Sequence, residues 1–204
     1  MKVGVLGGTF NPVHNSHLYI AGEYARLLNL DTVLFIPTFT PPHKSAGALA
    51  GADDRLAMCA LAVRDHPLFE ICDYEAKRPE KSYTFKTLEY LKETRPGDEL
   101  YFLMGADMFL TVQNWMSPER IYACATLCAA ARESGELKAL EEQKIFLESK
   151  GARCTVIAVE PRPLSSTDIR AAAAAGGDIS NMVPEAVAGY IASHRLYREG
   201  ETDV

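Results

Sequence analysis

The chain has 204 residues, 48% hydrophobic and 24% charged, with a formal net charge of −6. This is the composition of a globular protein, which excludes disorder, collagen and coiled coil, and the length suits one domain. The acidic balance excludes a globally basic surface for nucleic acid, so any anion handled here must meet a local positive site.

Lys2–Leu6 is a short apolar run ending in Gly7-Gly8, which predicts a strand and then a turn. Apolar residues at Leu18, Ala21, Ala25 and Leu28 have helical spacing. Thr32–Ile36 reads as a strand buried on both sides and closed by Pro37. Together these form a β-loop-α-β unit, which makes parallel strands joined by a right-handed crossover. The alternation then continues. A helix over Ala52–Arg64 precedes a strand at Phe69–Cys72, and Ser82 is the expected N-cap of a helix running to Thr94. Leu100–Met104 predicts a strand stopping at Gly105, and Ser117-Pro118-Glu119 a helix start. Thr126–Ala131 and Thr155–Val159 are the last two expected strands, separated by a solvent-facing helix marked by Leu137, Leu140, Lys144 and Leu147. Helices from about Ser166 and from Pro184 follow. The pattern predicts one α/β domain over residues 1–204, with a doubly wound, mostly parallel sheet. Thr38–Gly51 is a long Pro/Gly/Ser loop, of a length usually kept for function.

No apolar run approaches the ~18 residues of a membrane span, and the stretch before Gly7 is too short for a signal h-region. Five cysteines without CxxC spacing read as reduced, mostly buried thiols. The expectation is a cytoplasmic protein with no membrane and no nucleic-acid partner; homo-oligomerisation is left open.

In an open parallel sheet, ligands sit beyond the carboxyl ends of the strands. The segments expected there carry His14, His17, His43, Lys44, Asp107, Arg162, Ser165, Ser166, Thr167 and Arg170. A cationic mouth on an acidic protein suits a polyanionic small molecule. Gly7-Gly8-Thr9 either brings backbone N–H groups up to a phosphate or is simply a tight turn. It is neither GxGxxG nor a P-loop. His14 and His17, three apart, share one helix face, where they would donate to a phosphate. A zinc pair short of ligands and two surface histidines are the competing readings. Ser165-Ser166-Thr167-Asp168 is a capping-box-like start, or with Arg170 a grip for a triphosphate tail.

The run Gly7-Gly8-Thr9-Phe10-Asn11-Pro12-Val13-His14-Asn15-Ser16-His17-Leu18 resembles the GGTFDPIHxGHL signature of the HxGH nucleotidyltransferase superfamily. Leu164-Ser165-Ser166-Thr167-Asp168-Ile169-Arg170 resembles its ISSTxIR partner motif. Pro41-Pro42-His43-Lys44, Ser82-Tyr83-Thr84, Gly105-Ala106-Asp107, Trp115 and Arg132 extend the likeness to the nicotinate-nucleotide adenylyltransferase family, from about Lys2 to Arg198.

The resemblance implies a Rossmann-like nucleotidyltransferase fold, with helices over 166–198 completing the nucleotide site. It implies adenylyl transfer from ATP to nicotinate mononucleotide, giving deamido-NAD and pyrophosphate in NAD biosynthesis. His14, His17 and Arg170 would then be catalytic. Gly7, Gly8, Thr9, Phe10, Gly105, Asp107, Ser166 and Thr167 would meet ATP, and His43, Lys44, Thr84, Trp115 and Arg132 the mononucleotide. Mg²⁺ would be carried by the ATP phosphates rather than by a protein metal site.

Two residues depart from the family pattern: Asn11 stands for aspartate and Ser16 for the glycine of HxGH. If residue 16 needs φ > 0 or a close backbone approach, serine costs about 1 kcal/mol or more; otherwise it caps the helix. Two other readings stay open. One is a sister enzyme that takes nicotinamide mononucleotide or pantetheine phosphate as acceptor. The other is a weakly catalytic nucleotide-sensing module.

Overall fold

The computed structural model describes residues 1–39, 49–132 and 134–198. Its six strands are β1 (Lys2–Gly8), β2 (Thr32–Pro37), β3 (Phe69–Ile71), β4 (Glu99–Gly105), β5 (Ala125–Ala131) and β6 (Arg153–Ala158). They pair in the order β3-β2-β1-β4-β5-β6, and every pairing is parallel. This is the doubly wound Rossmann order, in which the chain reverses direction across the sheet between β1 and β4 and leaves a crevice at their carboxyl ends.

Period-two alternation along the strands divides the core. Val3, Val5, Leu34, Ile36, Phe102 and Met104 face one way. They are covered by α3 (Thr84–Thr94), α4 (Ala106–Phe109), α5 (Pro118–Cys124) and α6 (Ser134–Ser149). Leu6, Val33, Phe35 and Leu103 face the other way. Their cover is α1 (Asn15–Leu28), α2 (Ala52–Val63), α7 (Ser166–Ala174) and α8 (Glu185–Ser193). On that side the buried Tyr24 hydroxyl of α1 meets the Met104 and Cys128 carbonyls at 2.7 and 3.1 Å, pinning the helix across β4 and β5.

The structure corrects several expected boundaries. Gly7 and Gly8 are not a turn: they are the last residues of β1, in register with Ile36 and Pro37, and neither has positive φ. The ladder continues because glycine adopts extended backbone as readily as any residue; the chain turns at Phe10 instead, with φ 46°. Ser82 is not the cap of α3, since Tyr83 occupies that position without a side-chain bond. α6 is not simply solvent-facing, because Leu140 and Leu147 are fully buried against β5 and β6. Ser117 does stand at the N-cap of α5, with Pro118 following. All five cysteines are free, with Cys59, Cys128 and Cys154 buried. Among the described residues no helix is long and apolar enough to cross a membrane.

Candidate active site

The segment between β1 and α1 is held from several sides. Phe10 buries its ring against Phe35 and edge-on to His17, with centroids 5.7 and 5.0 Å apart. Only its backbone is therefore left for a ligand. Asn11 Oδ1 accepts from the Tyr197 hydroxyl at 2.8 Å and from the Ala50 amide at 3.1 Å. Beneath lies Arg55, fully buried. Its guanidinium donates to the carbonyls of Thr9, Thr38, Phe39 and Ala50.

His14 is the N-cap residue of α1 and His17 is its third helical residue. The rings stack with centroids 3.7 Å apart. The His14 amide donates to His17 Nδ1 at 3.3 Å, so in the neutral imidazole the His17 proton sits on Nε2. His14 is only 5% exposed, and its Nδ1 has no hydrogen-bond partner among the described residues. Burial pushes its pKa from 6.5 down to about 4, against a smaller opposing pull from Asp168.

That shift makes stability pH-dependent. Between the two values the unfolded chain binds a proton that the folded chain refuses, so stability present above pH 6.5 is lost as pH falls towards about 4. From pH 7 to pH 5, His14 should remove about 2 kcal/mol, a loss absent in His14→Asn. Urea unfolding of both proteins at the two pH values checks this; equal losses would contradict a neutral, buried His14.

The N-terminus of α7 abuts the same loop. Ser165 is its cap, in a reciprocal capping box with Asp168, so the capping reading holds for this residue. Ser166 Oγ donates to the Pro12 carbonyl at 3.0 Å. Arg170 reaches the Asn11 carbonyl at 2.9 Å and Thr167 Oγ1 at 3.2 Å. His14, His17, Ser166, Thr167 and Arg170 are thus gathered around one loop, as their motifs imply.

Beside it, at the carboxyl ends of β1, β2 and β4, opens a cavity of about 350 Å³, a size suited to a small-molecule ligand. Gly7, Gly8 and Thr9 form one part of its lining, Thr84 and Thr87 of α3 another, and Trp115 a third. A Cβ on Gly7 would meet nothing within 4 Å, so this strand end presents bare backbone to open space. Trp115, the chain's single tryptophan, packs edge-on against Phe102 with centroids 6.1 Å apart.

The cytidylyltransferase-like family profile matches residues 5–172. The chain is 41% identical to a probable nicotinate-nucleotide adenylyltransferase of Geobacter sulfurreducens, over 97% of this chain and 98% of that one. It is 38% identical to a protein of the same description from Syntrophotalea carbinolica, over 98% and 99%. The chain belongs to the nicotinate-nucleotide adenylyltransferase family. Two solved structures of the Plasmodium falciparum nicotinic acid mononucleotide adenylyltransferase share its fold. The one complexed with APC has TM-score 0.73 at 16% identity and covers 96% of each chain. The one complexed with NaAD has TM-score 0.72 at 17% identity, covering 96% of this chain and 97% of that chain.

Of the acceptor-side residues that the family resemblance implies, Thr84 and Trp115 line the cavity. Arg132 is exposed at the end of β5 and turned to Glu136, its backbone N–H donating at 2.7 Å and its guanidinium 3.7 Å away. It is not part of the cavity lining. His43 and Lys44 lie outside the described residues. Gly105 ends β4 as the cap of α4, and Asp107 is exposed in that helix's first turn.

Ser16 is the second residue of α1 and has no positive φ. It is neither strained nor the cap, and its hydroxyl donates to the Arg162 carbonyl at 3.0 Å. Sequence reasoning gave no role to Arg55 or Glu75. Both are buried charged residues, and only a charge within an apolar helical or loop pattern hinted at them.

Proposed function

We propose that the chain transfers the adenylyl group of ATP to nicotinate mononucleotide, giving deamido-NAD and pyrophosphate. The cavity's position carries this reading. It joins the strand end at Gly7, Gly8 and Thr9, which leads into the loop carrying the histidine pair, to a pocket bearing Thr84 and an aromatic wall at Trp115. The polyphosphate would lie on the loop side and the pyridine ring would stack on Trp115.

The nucleophile is the mononucleotide's own phosphate, largely dianionic at pH 7 because its second pKa is about 6. It needs no general base. Its oxygen bonds to the α-phosphorus as the bond to the bridging oxygen breaks, and pyrophosphate leaves with that electron pair. The protein's task is alignment and charge stabilisation. His17 donates from Nε2 to the α-phosphate at the N-terminus of α1, where the helix dipole adds to its effect. Arg170, with Ser166 and Thr167, holds the β- and γ-phosphates, and backbone at Gly105 with Asp107 meets the adenylate. Mg²⁺ would arrive on the ATP phosphates and neutralise their charge, a role its preference for oxygen ligands suits.

Pyrophosphate release with Mg-ATP tests the assignment, with nicotinate mononucleotide, nicotinamide mononucleotide and pantetheine phosphate as rival acceptors. Strong preference for the first is expected. Preference for another acceptor would move the chain to a sister reaction, and release with none would refute adenylyl transfer.

A further inference from the structure

Glu75 lies between β3 and α3, only 8% exposed, and lines the same cavity as Trp115. The reaction as proposed has no use for a carboxylate there. Its Oε1 accepts from Thr87 Oγ1 at 2.6 Å, at the short end of the O–H···O range. Burial raises the Glu75 pKa, and the Thr87 and Ser82 hydroxyls facing the carboxyl oppose that rise. Ser82 and Thr87 bracket Thr84, the first residue of α3. The capping residue Tyr83 makes no side-chain cap hydrogen bond, so this helix starts without the side-chain restraint that a serine or aspartate would supply. The Glu75 carboxyl supplies that restraint from across the cavity wall. Burial, which disfavours its charged form, also limits any repulsion of an anionic ligand beside it, so the acid acts on the turn.

We infer that Glu75 is a positioning residue for the ring end of the acceptor: by holding Ser82 and Thr87 it sets the Ser82-Tyr83-Thr84 turn against the cavity. The inference rests on the proposed acceptor and adds a residue that touches neither reacting atom. Its effect should fall on the mononucleotide and spare ATP, whose phosphates sit on the other loop.

Trp115, as the single tryptophan, reports acceptor binding by fluorescence without turnover. In Glu75→Ala, which leaves two hydroxyls unpaired, the Kd and KM for nicotinate mononucleotide should rise roughly tenfold while the KM for ATP stays within about twofold. Glu75→Gln keeps the volume and one acceptor oxygen, and should recover to within about threefold of wild type. Should Glu75→Ala not fold, Thr87→Val removes the short bond alone and should shift the same constant in the same direction. An unchanged acceptor Kd in these variants, or equal rises for both substrates, would overturn the inference. A wild-type protein that shows neither quenching nor pyrophosphate release would remove the functional reading, and this inference with it.

Discussion

His17→Ala should lower kcat by roughly 10²- to 10³-fold, the usual cost of losing one donor aimed at developing charge. Affinity for ATP should change little. Negative charge at the α-phosphate peaks during displacement, so a donor placed there stabilises the transition state more than bound ATP. The geometry favours His17 over His14 for this role. Its Nδ1 is occupied by the His14 amide, which leaves the proton on Nε2, whereas His14 is buried and its pKa is depressed to about 4. Steady-state pyrophosphate release and calorimetric ATP binding separate the two effects. A kcat within about threefold of wild type would remove His17 from the mechanism.

Arg55→Leu should cost about 3–5 kcal/mol of stability and lower the Tm by about 10 °C. The guanidinium is fully buried, and its four partners are backbone carbonyls at Thr9, Thr38, Phe39 and Ala50. Leucine fills much of the space but leaves all four carbonyls without that donor. Turnover should fall with stability even below the melting range, because the freed Thr9 segment borders the cavity. Arg55→Lys keeps the charge but loses the planar fork, so it should recover only part of the loss. Thermal melts followed by circular dichroism decide the matter. A shift under about 2 °C would mean that water replaces the arginine at no cost.

The strands were legible because buried runs such as Thr32–Ile36 and Leu100–Met104 are too short for helices and are closed by Pro37 and Gly105. Their ends were less so: β1 runs on through Gly7-Gly8 because β2 supplies a partner there, which no local window displays. The site divides in the same way. His14, His17, Ser166 and Arg170 lie in short motifs whose spacing carries their meaning, and the fold brings them to one loop. Arg55 was opaque because its partners lie 5 to 46 residues away, and an arginine in an amphipathic helix ordinarily reads as solvated. Glu75 escaped notice for the same reason, since its value depends on Thr87 folding back across a turn. Ser82 stands one residue before the true cap, and its hydroxyl faces Glu75 beside the helix entry.

The clasp on Asn11 has a consequence for the order of events during synthesis. Its bonds come from Ala50, from Arg170 and from Tyr197, 186 positions further along. All six strands have been made once the ribosome passes Ala158, and amino-terminal structure generally assembles first. A nascent chain can therefore pair its strands while the Gly8–His14 segment still lacks three of its fasteners, from Ser166, Arg170 and Tyr197. Truncated chains ending between α8 and Tyr197 keep both covering layers and should be folded in their interior, with Asn11 short of its Tyr197 bond at the mouth.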